Sequence, residues 1–162
     1  MTTEEVNVFV EQFLMLVMAS MTPEGEPYAS TAPFVRVGND FFILVSTVAQ
    51  HGRNLLNSKK VSLLIAEDEA LALQPFARKR ITIEAAVCEI LREEGAFEEM
   101  MILFGEKFDS DLINSLSGMR DFHLFKLSAL GGNVVMGFGK AYRLDENLEV
   151  MMQISGQHQH AK

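Results

Sequence analysis

At 162 residues the chain has room for one ordinary domain, and 48% apolar with 22% charged residues excludes a disordered or collagen-like polymer. Lys and Arg number 14 against 22 Asp and Glu, a net charge of -8, and such a field repels phosphate backbones and argues against nucleic-acid partners. The lone cysteine, Cys88, excludes an internal disulfide and a paired-cysteine zinc site. The start, Met1-Thr2-Thr3-Glu4-Glu5, lacks the basic region of a signal peptide, and the apolar runs are too short to span a bilayer. A soluble cytoplasmic protein with no membrane partner is expected.

Hydroxyls and acids at Thr2 to Glu5 signal a helix start, and Val6, Phe9, Val10, Phe13 and Leu14 follow at three-and-four spacing, which predicts an amphipathic helix over residues 1–15. Leu16–Ser20 reads as a strand, Thr22–Pro27 as a turn, and Tyr28–Val37 as the returning strand, with Ala29, Thr31, Pro33, Val35 and Val37 on one face. Pro33 donates no ladder bond, so this strand is expected to be an edge or to bulge there. Phe41–Ser46, apolar on both faces, predicts a central strand. A short helix over Gln50–Asn57 and a strand over Lys60–Ala66 come next, and then a loop over Glu67–Ala77. Arg80–Ile90 alternates with a period of two, Ile81, Ile83, Ala85 and Val87 facing one way. Gly95–Leu116 reads as two helical pieces broken near Phe108-Asp109. Phe122–Leu130 and Val134–Leu144 read as a final hairpin turning at Gly131-Gly132-Asn133. Six or seven strands with three or four short helices, joined mostly by hairpins, predict a mainly β, α+β protein built on a small antiparallel split barrel. One domain is expected over 1–162, ending in a flexible, histidine-containing tail at 155–162.

The chemistry-bearing features are few. Phosphate-binding loops and the H-E-x-x-H pattern are missing. Gly137-Phe138-Gly139, read as lying inside a strand, implies a bulge or a close approach of backbone to a ligand or partner subunit. His123 alternates with Phe125 and Leu127 and reads as a packed strand residue. The tail Gly156-Gln157-His158-Gln159-His160 reads either as a bare chain end or as a metal or cofactor ligand, since imidazole is the commonest side-chain metal ligand near neutral pH. Arg78-Lys79-Arg80 reads either as a solvated edge or as a site for an anion, because arginine grips carboxylate and phosphate in a fixed fork.

Three segments, in this order, resemble one family: Phe42–Ser46 running on to His51-Gly52-Arg53-Asn54-Leu55, then Pro75–Thr82, then Val135–Tyr142. With the Gly-His tail, the chain from about Phe13 onward resembles the split-barrel proteins related to pyridoxamine 5'-phosphate oxidase, and within them the haem-utilisation branch of the HugZ/HutZ type. The resemblance implies a homodimer with its ligand between subunits. In the flavin-binding members a Ser-Arg-Lys run holds the phosphate of flavin mononucleotide (FMN). Here Ala49, Gln50 and His51 stand in its place, leaving Ser46, Thr47 and Arg53 nearby. In the haem branch, the resemblance implies a C-terminal histidine as axial ligand, His158 or else His160. Asp121 of the other subunit would be its hydrogen-bond partner, with His51 and Arg80 lining the interface and Arg80 a candidate for contacts with the haem anions. The activity implied is oxidative haem degradation that releases iron, with an electron donor the sequence does not identify. The alternatives are an FMN-dependent oxidoreductase and a haem carrier without turnover.

Overall fold

Thr2 and Glu5 cap each other at the start of the first helix, α1 (Thr3–Glu11). The Thr2 hydroxyl accepts from the Glu5 amide at 3.2 Å, and the Glu5 carboxylate accepts from the Thr2 amide at 2.7 Å. The structure, a computed structural model, describes residues 1–154, so His158 and His160 lie outside the described residues. The helix stops earlier than its apolar spacing predicts. Met15 already pairs with Pro33, and ladder pairing of that residue excludes helix. Phe13 keeps its apolar contact nonetheless, its ring 5.0 Å edge-on from Phe9.

The strands are β1 (Met15–Met21), β2 (Pro27–Pro33), β3 (Val35–Val37), β4 (Asp40–Ser46), β5 (Lys60–Ala66), β6 (Arg80–Ile90), β7 (Phe122–Val135), β8 (Ala141–Leu144) and β9 (Val150–Gln153). Three more helices, α2 (Gln50–Asn57), α3 (Gly95–Lys107) and α4 (Ser110–Gly118), lie between them. Every pairing is antiparallel, in the order β2-β1-β5-β6-β7-β4-β3, and β8 and β9 add a ribbon beside β7. This curled sheet is the expected split barrel, with nine strands where the sequence suggests six or seven. None of the described helices is long and apolar enough to cross a membrane.

Two apolar clusters hold the sheet. Phe41, Ile43 and Val45 point from β4 into the barrel with Phe34, Leu63, Ile81 and Ile83. Phe42 and Leu44 point the other way, onto Phe97, Met100 and Phe104 of α3 and Ile113 of α4. That is why the β4 sequence is apolar on both faces, and each of these side chains contributes about 1.5–3 kcal/mol by burial. Pro33 ends the edge strand β2, and the chain changes face there. Phe34 enters the barrel while Val35 joins the second cluster, so the residues from Ala29 to Val37 do not share one continuous face. The break between α3 and α4 falls at Phe108-Asp109 as expected, where the Asp109 carboxylate accepts from the Leu112 amide at 2.7 Å.

The end of the chain differs from expectation. The strand β7 runs unbroken through Gly131-Gly132-Asn133, and its turn is at Gly137–Gly139. Gly131, at φ 139°, sits opposite the β-bulge between Glu84 and Ala85. A Cβ on Gly132 would lie 2.3 Å from the Thr82 carbonyl oxygen, so the close backbone approach is there. Gly137 and Gly139, at φ 130° and 68°, serve the turn instead of a strand bulge.

Candidate functional site

Asp121 sits in the turn before β7, and two distant segments hold it. The Ser46 hydroxyl accepts from the Val48 amide at 3.0 Å, which leaves its own proton for the Asp121 carboxylate, Oγ to Oδ2 at 2.5 Å. That is the length of a charge-assisted bond. The Asp121 carbonyl accepts from the Thr47 amide at 2.7 Å and from the Thr47 hydroxyl at 3.2 Å. From the other side, Arg92 donates to the carbonyls of Met119 at 2.6 Å and Phe122 at 2.8 Å, and also to that of Ser117. Oδ1 of Asp121 has no hydrogen-bond partner among the described residues.

The strap from Ser46 to Ala49 is itself pinned by α2. A Cβ on Gly52 would lie 2.2 Å from the Ser46 carbonyl oxygen, so only glycine lets the helix lie this close. Arg53 donates to the carbonyls of Thr47, at 3.4 Å, and Val48, and to Gln50 Oε1 at 2.7 Å. Gln50 continues to Asn54 at 2.7 Å and Asn54 to Ser20 at 3.0 Å, a polar thread into the barrel. His51 is half-buried, and that burial pushes its imidazole below the ordinary value. Ser46, Thr47, His51, Arg53 and Asp121 are therefore brought together, but the hydroxyls and Arg53 are engaged with the protein's own groups.

Arg78 and Arg80 lie at the opposite pole. Ser46 pairs with Phe122 at one end of β7, and Arg80 pairs with Val135 at the other. The 14 residues of β7 span roughly 40 Å at the ordinary strand rise, less where the strand curls. Arg78 donates to the Glu67 carbonyl at 2.6 Å, and Arg80 donates to the Arg78 carbonyl at 2.9 Å with its remaining donors unassigned among the described residues. Beside them, between α1 and the 66–79 corner, opens a cleft of about 1090 Å³. Phe13, Met15, Met136 and Tyr142 give it an apolar wall, Lys79 and Lys140 supply cations, and Glu4, Glu67 and Asp68 supply acids.

Two features escaped the sequence. Arg92, alone in an acidic turn, carries no motif that links it to Asp121. His123 is the half-buried strand residue expected, stacked 6.4 Å from Phe125, but its Nδ1 lies 2.6 Å from Glu89 Oε1, a partner 34 positions away. Among the described residues, no group of three or more His, Cys, Asp or Glu side chains could hold a metal ion.

The comparisons with known proteins agree with this architecture. Residues 2–135 match the family described as pyridoxamine 5'-phosphate oxidase. The chain is 37% identical over 140 residues to the heme oxygenase HutZ of Vibrio cholerae, covering 86% of this chain and 79% of that one. The crystal structure of HutZ, there described as a heme storage protein of Vibrio cholerae, superposes with a TM-score of 0.72 at 36% identity over 76% of this chain and 87% of that one. ChuZ of Campylobacter jejuni gives a TM-score of 0.84 at 28% identity, covering 98% of this chain and 65% of that one. Sequence, strand order and these relatives lead to one conclusion: the chain belongs to the pyridoxamine 5'-phosphate oxidase family, in its HugZ/HutZ-like branch.

Proposed function

We propose that two copies of this chain bind haem between them and degrade it oxidatively, releasing iron, in the cytoplasm. The observation that carries this reading is the Asp121 carboxylate, one oxygen occupied by Ser46 and the other without a partner among the described residues. Such a carboxylate is suited to accept from the far N–H of an iron-bound imidazole, fixing its tautomer and raising its basicity. The relatives support the ligand, since HutZ is named once as a heme oxygenase and once as a heme storage protein.

Reach supports the two-chain arrangement. Ile154 donates to the Ala141 carbonyl at 2.7 Å, at the Val135 end of β7. His158 is four residues further on and can reach at most about 14 Å from there, while Asp121 lies at the far end of the strand. A partner's Asp121 can meet this tail if a two-fold axis crosses the sheet at right angles to its strands. The sheet offers a face for this: Met15 and Val17 are outward and exposed on β1, beside Thr31 of β2 and Leu64 of β5. An interface between copies would cover these apolar side chains.

The residues fit haem as substrate. The apolar wall of the cleft suits a porphyrin face, and Arg80, with Arg78 and Lys79, suits its propionates. His158, or His160, would supply the axial imidazole, Asp121 of the second copy would hold it, and His51 would line the site as a neutral group. Bound haem brings its own iron and oxygen chemistry, while the chain orients it and excludes water. The FMN alternative keeps the support of the family, yet the Ser46 and Thr47 hydroxyls that would bind a phosphate donate to Asp121 instead. Titration with hemin, and separately with FMN, tests the reading. A Soret band saturating at one hemin per chain, lost when the chain is cut after Gly156, is expected. Tight FMN binding with no specific Soret band would overturn it. Loss of that band on adding a reductant with catalase present marks an enzyme, and a persistent band marks a carrier.

A further inference from the structure

We infer that Ser46 is a positioning residue for Asp121, and that the Ser46–Ala49 strap is a carboxylate cradle, not a phosphate site. The inference rests on the haem reading above for its function, but its geometry stands without a ligand. A carboxylate on a turn ordinarily samples several rotamers, and each costs free energy to give up when a partner is bound. Here three independent restraints remove that freedom. Thr47 donates twice to the Asp121 carbonyl, at 2.7 and 3.2 Å, which fixes where the Cα sits. Arg92 holds the carbonyls on either side, Met119 and Phe122, at 2.6 and 2.8 Å, which fixes the turn. Ser46 then selects the rotamer through Oδ2 at 2.5 Å.

The direction of that last bond follows from the acceptor. An ionised carboxylate only accepts, so the single Ser46 proton goes to Asp121 Oδ2, while the Val48 amide at 3.0 Å takes one of the two lone pairs of Ser46 Oγ. The Ser46 backbone cannot drift from this position, because Gly52 packs against its carbonyl and Arg53 holds the two carbonyls that follow. An incoming phosphate would meet the Asp121 carboxylate instead of free hydroxyls. An incoming N–H donor would meet a carboxylate already oriented, with Oδ1 unclaimed by any described residue. The cradle therefore favours a cationic or N–H-bearing partner, and an iron-bound imidazole is one.

The test compares Ser46→Ala, Ser46→Thr and Asp121→Asn in the full chain. In the protein without hemin, Hα–Hβ couplings read the Asp121 side-chain rotamer. One rotamer is expected for the native chain and for Ser46→Thr, and averaged couplings for Ser46→Ala. In the ferrous, hemin-loaded protein, resonance Raman reads the iron–histidine stretch. Asp121→Asn should lower it, Ser46→Ala should lower it by a smaller amount, and Ser46→Thr should restore it. A single rotamer in Ser46→Ala would overturn the cradle. Averaged couplings with an unshifted stretch, while Asp121→Asn shifts it, would overturn the positioning role. An unshifted stretch in Asp121→Asn would overturn the ligand reading itself, leaving the cradle to stand or fall on the couplings.

Discussion

The two poles of β7 are built on different principles. At the Asp121 end, the strap, α2 and the turn before β7 engage one another, and Oδ1 of Asp121 has no hydrogen-bond partner among the described residues. At the Arg80 end, the Arg78 and Arg80 side chains donate only to backbone carbonyls among the described residues, beside a cleft of about 1090 Å³ with mixed charge on its walls. One pole holds a carboxylate already oriented by its neighbours, and the other is an open cleft flanked by cations. Within one copy the length of β7 separates them. On the function proposed above, neither pole is a site alone, and complementarity between copies would supply one.

The largest expected loss comes from separating the poles' roles chemically. Arg80→Ala should weaken hemin binding about tenfold, the loss expected for one charge-assisted contact, while leaving the iron–histidine stretch unchanged. A shifted stretch with unchanged affinity would erase the distinction between an open cleft and a ligand-holding pole. Next, Gly52→Ala forces a methyl against the Ser46 carbonyl, where the clear distance is 2.2 Å. Chemical denaturation should show a loss of about 1–3 kcal/mol, with the damage concentrated at the Asp121 end. Unchanged stability would mean that the strap yields freely and pins nothing.

The smallest effect concerns His51, whose imidazole burial holds below the ordinary value of 6.5. Above that pH the ring is neutral in both folded and unfolded chains and contributes no pH dependence. As pH falls below 6.5 the unfolded chain takes up the proton first, so stability declines until the folded value is passed. His51→Gln should flatten this part of the acid-side decline in urea titrations between about pH 7.5 and 5.5. An identical slope in the variant would show that the ring is not shielded.

Legibility in the sequence followed the range of the physics. Gln50–Asn57, Lys60–Ala66 and Arg80–Ile90 were readable to the residue because periodicity and breakers are local signals. Gly131-Gly132-Asn133 was misleading for a related reason. Glycines next to asparagine look like turn chemistry, yet here they serve a bulge and a backbone approach to Thr82, requirements set by another strand. The ribbon strand β9 was missed because its four residues, mostly exposed, carry no buried face to read. For the candidate site, the resemblance supplied Asp121, while the run Arg78-Lys79-Arg80 is readable by itself as an anion site. Nothing local could show that Ser46 and Asp121 touch, since 75 positions separate them, or that Arg92 clamps the turn between them.

The claim that one site takes its parts from two chains is open to a direct test in a mixed dimer. One chain carries Asp121→Asn with its tail intact, and the other keeps Asp121 but ends after Gly156. Each parent alone lacks one part of every site. If tail and carboxylate meet across the interface, the mixed dimer regains one complete site in two, and its reductant-driven haem loss, with catalase present, should approach half the native rate per dimer. If they meet within one chain, neither site is complete. A mixed dimer no more active than the Asp121→Asn parent would contradict the account.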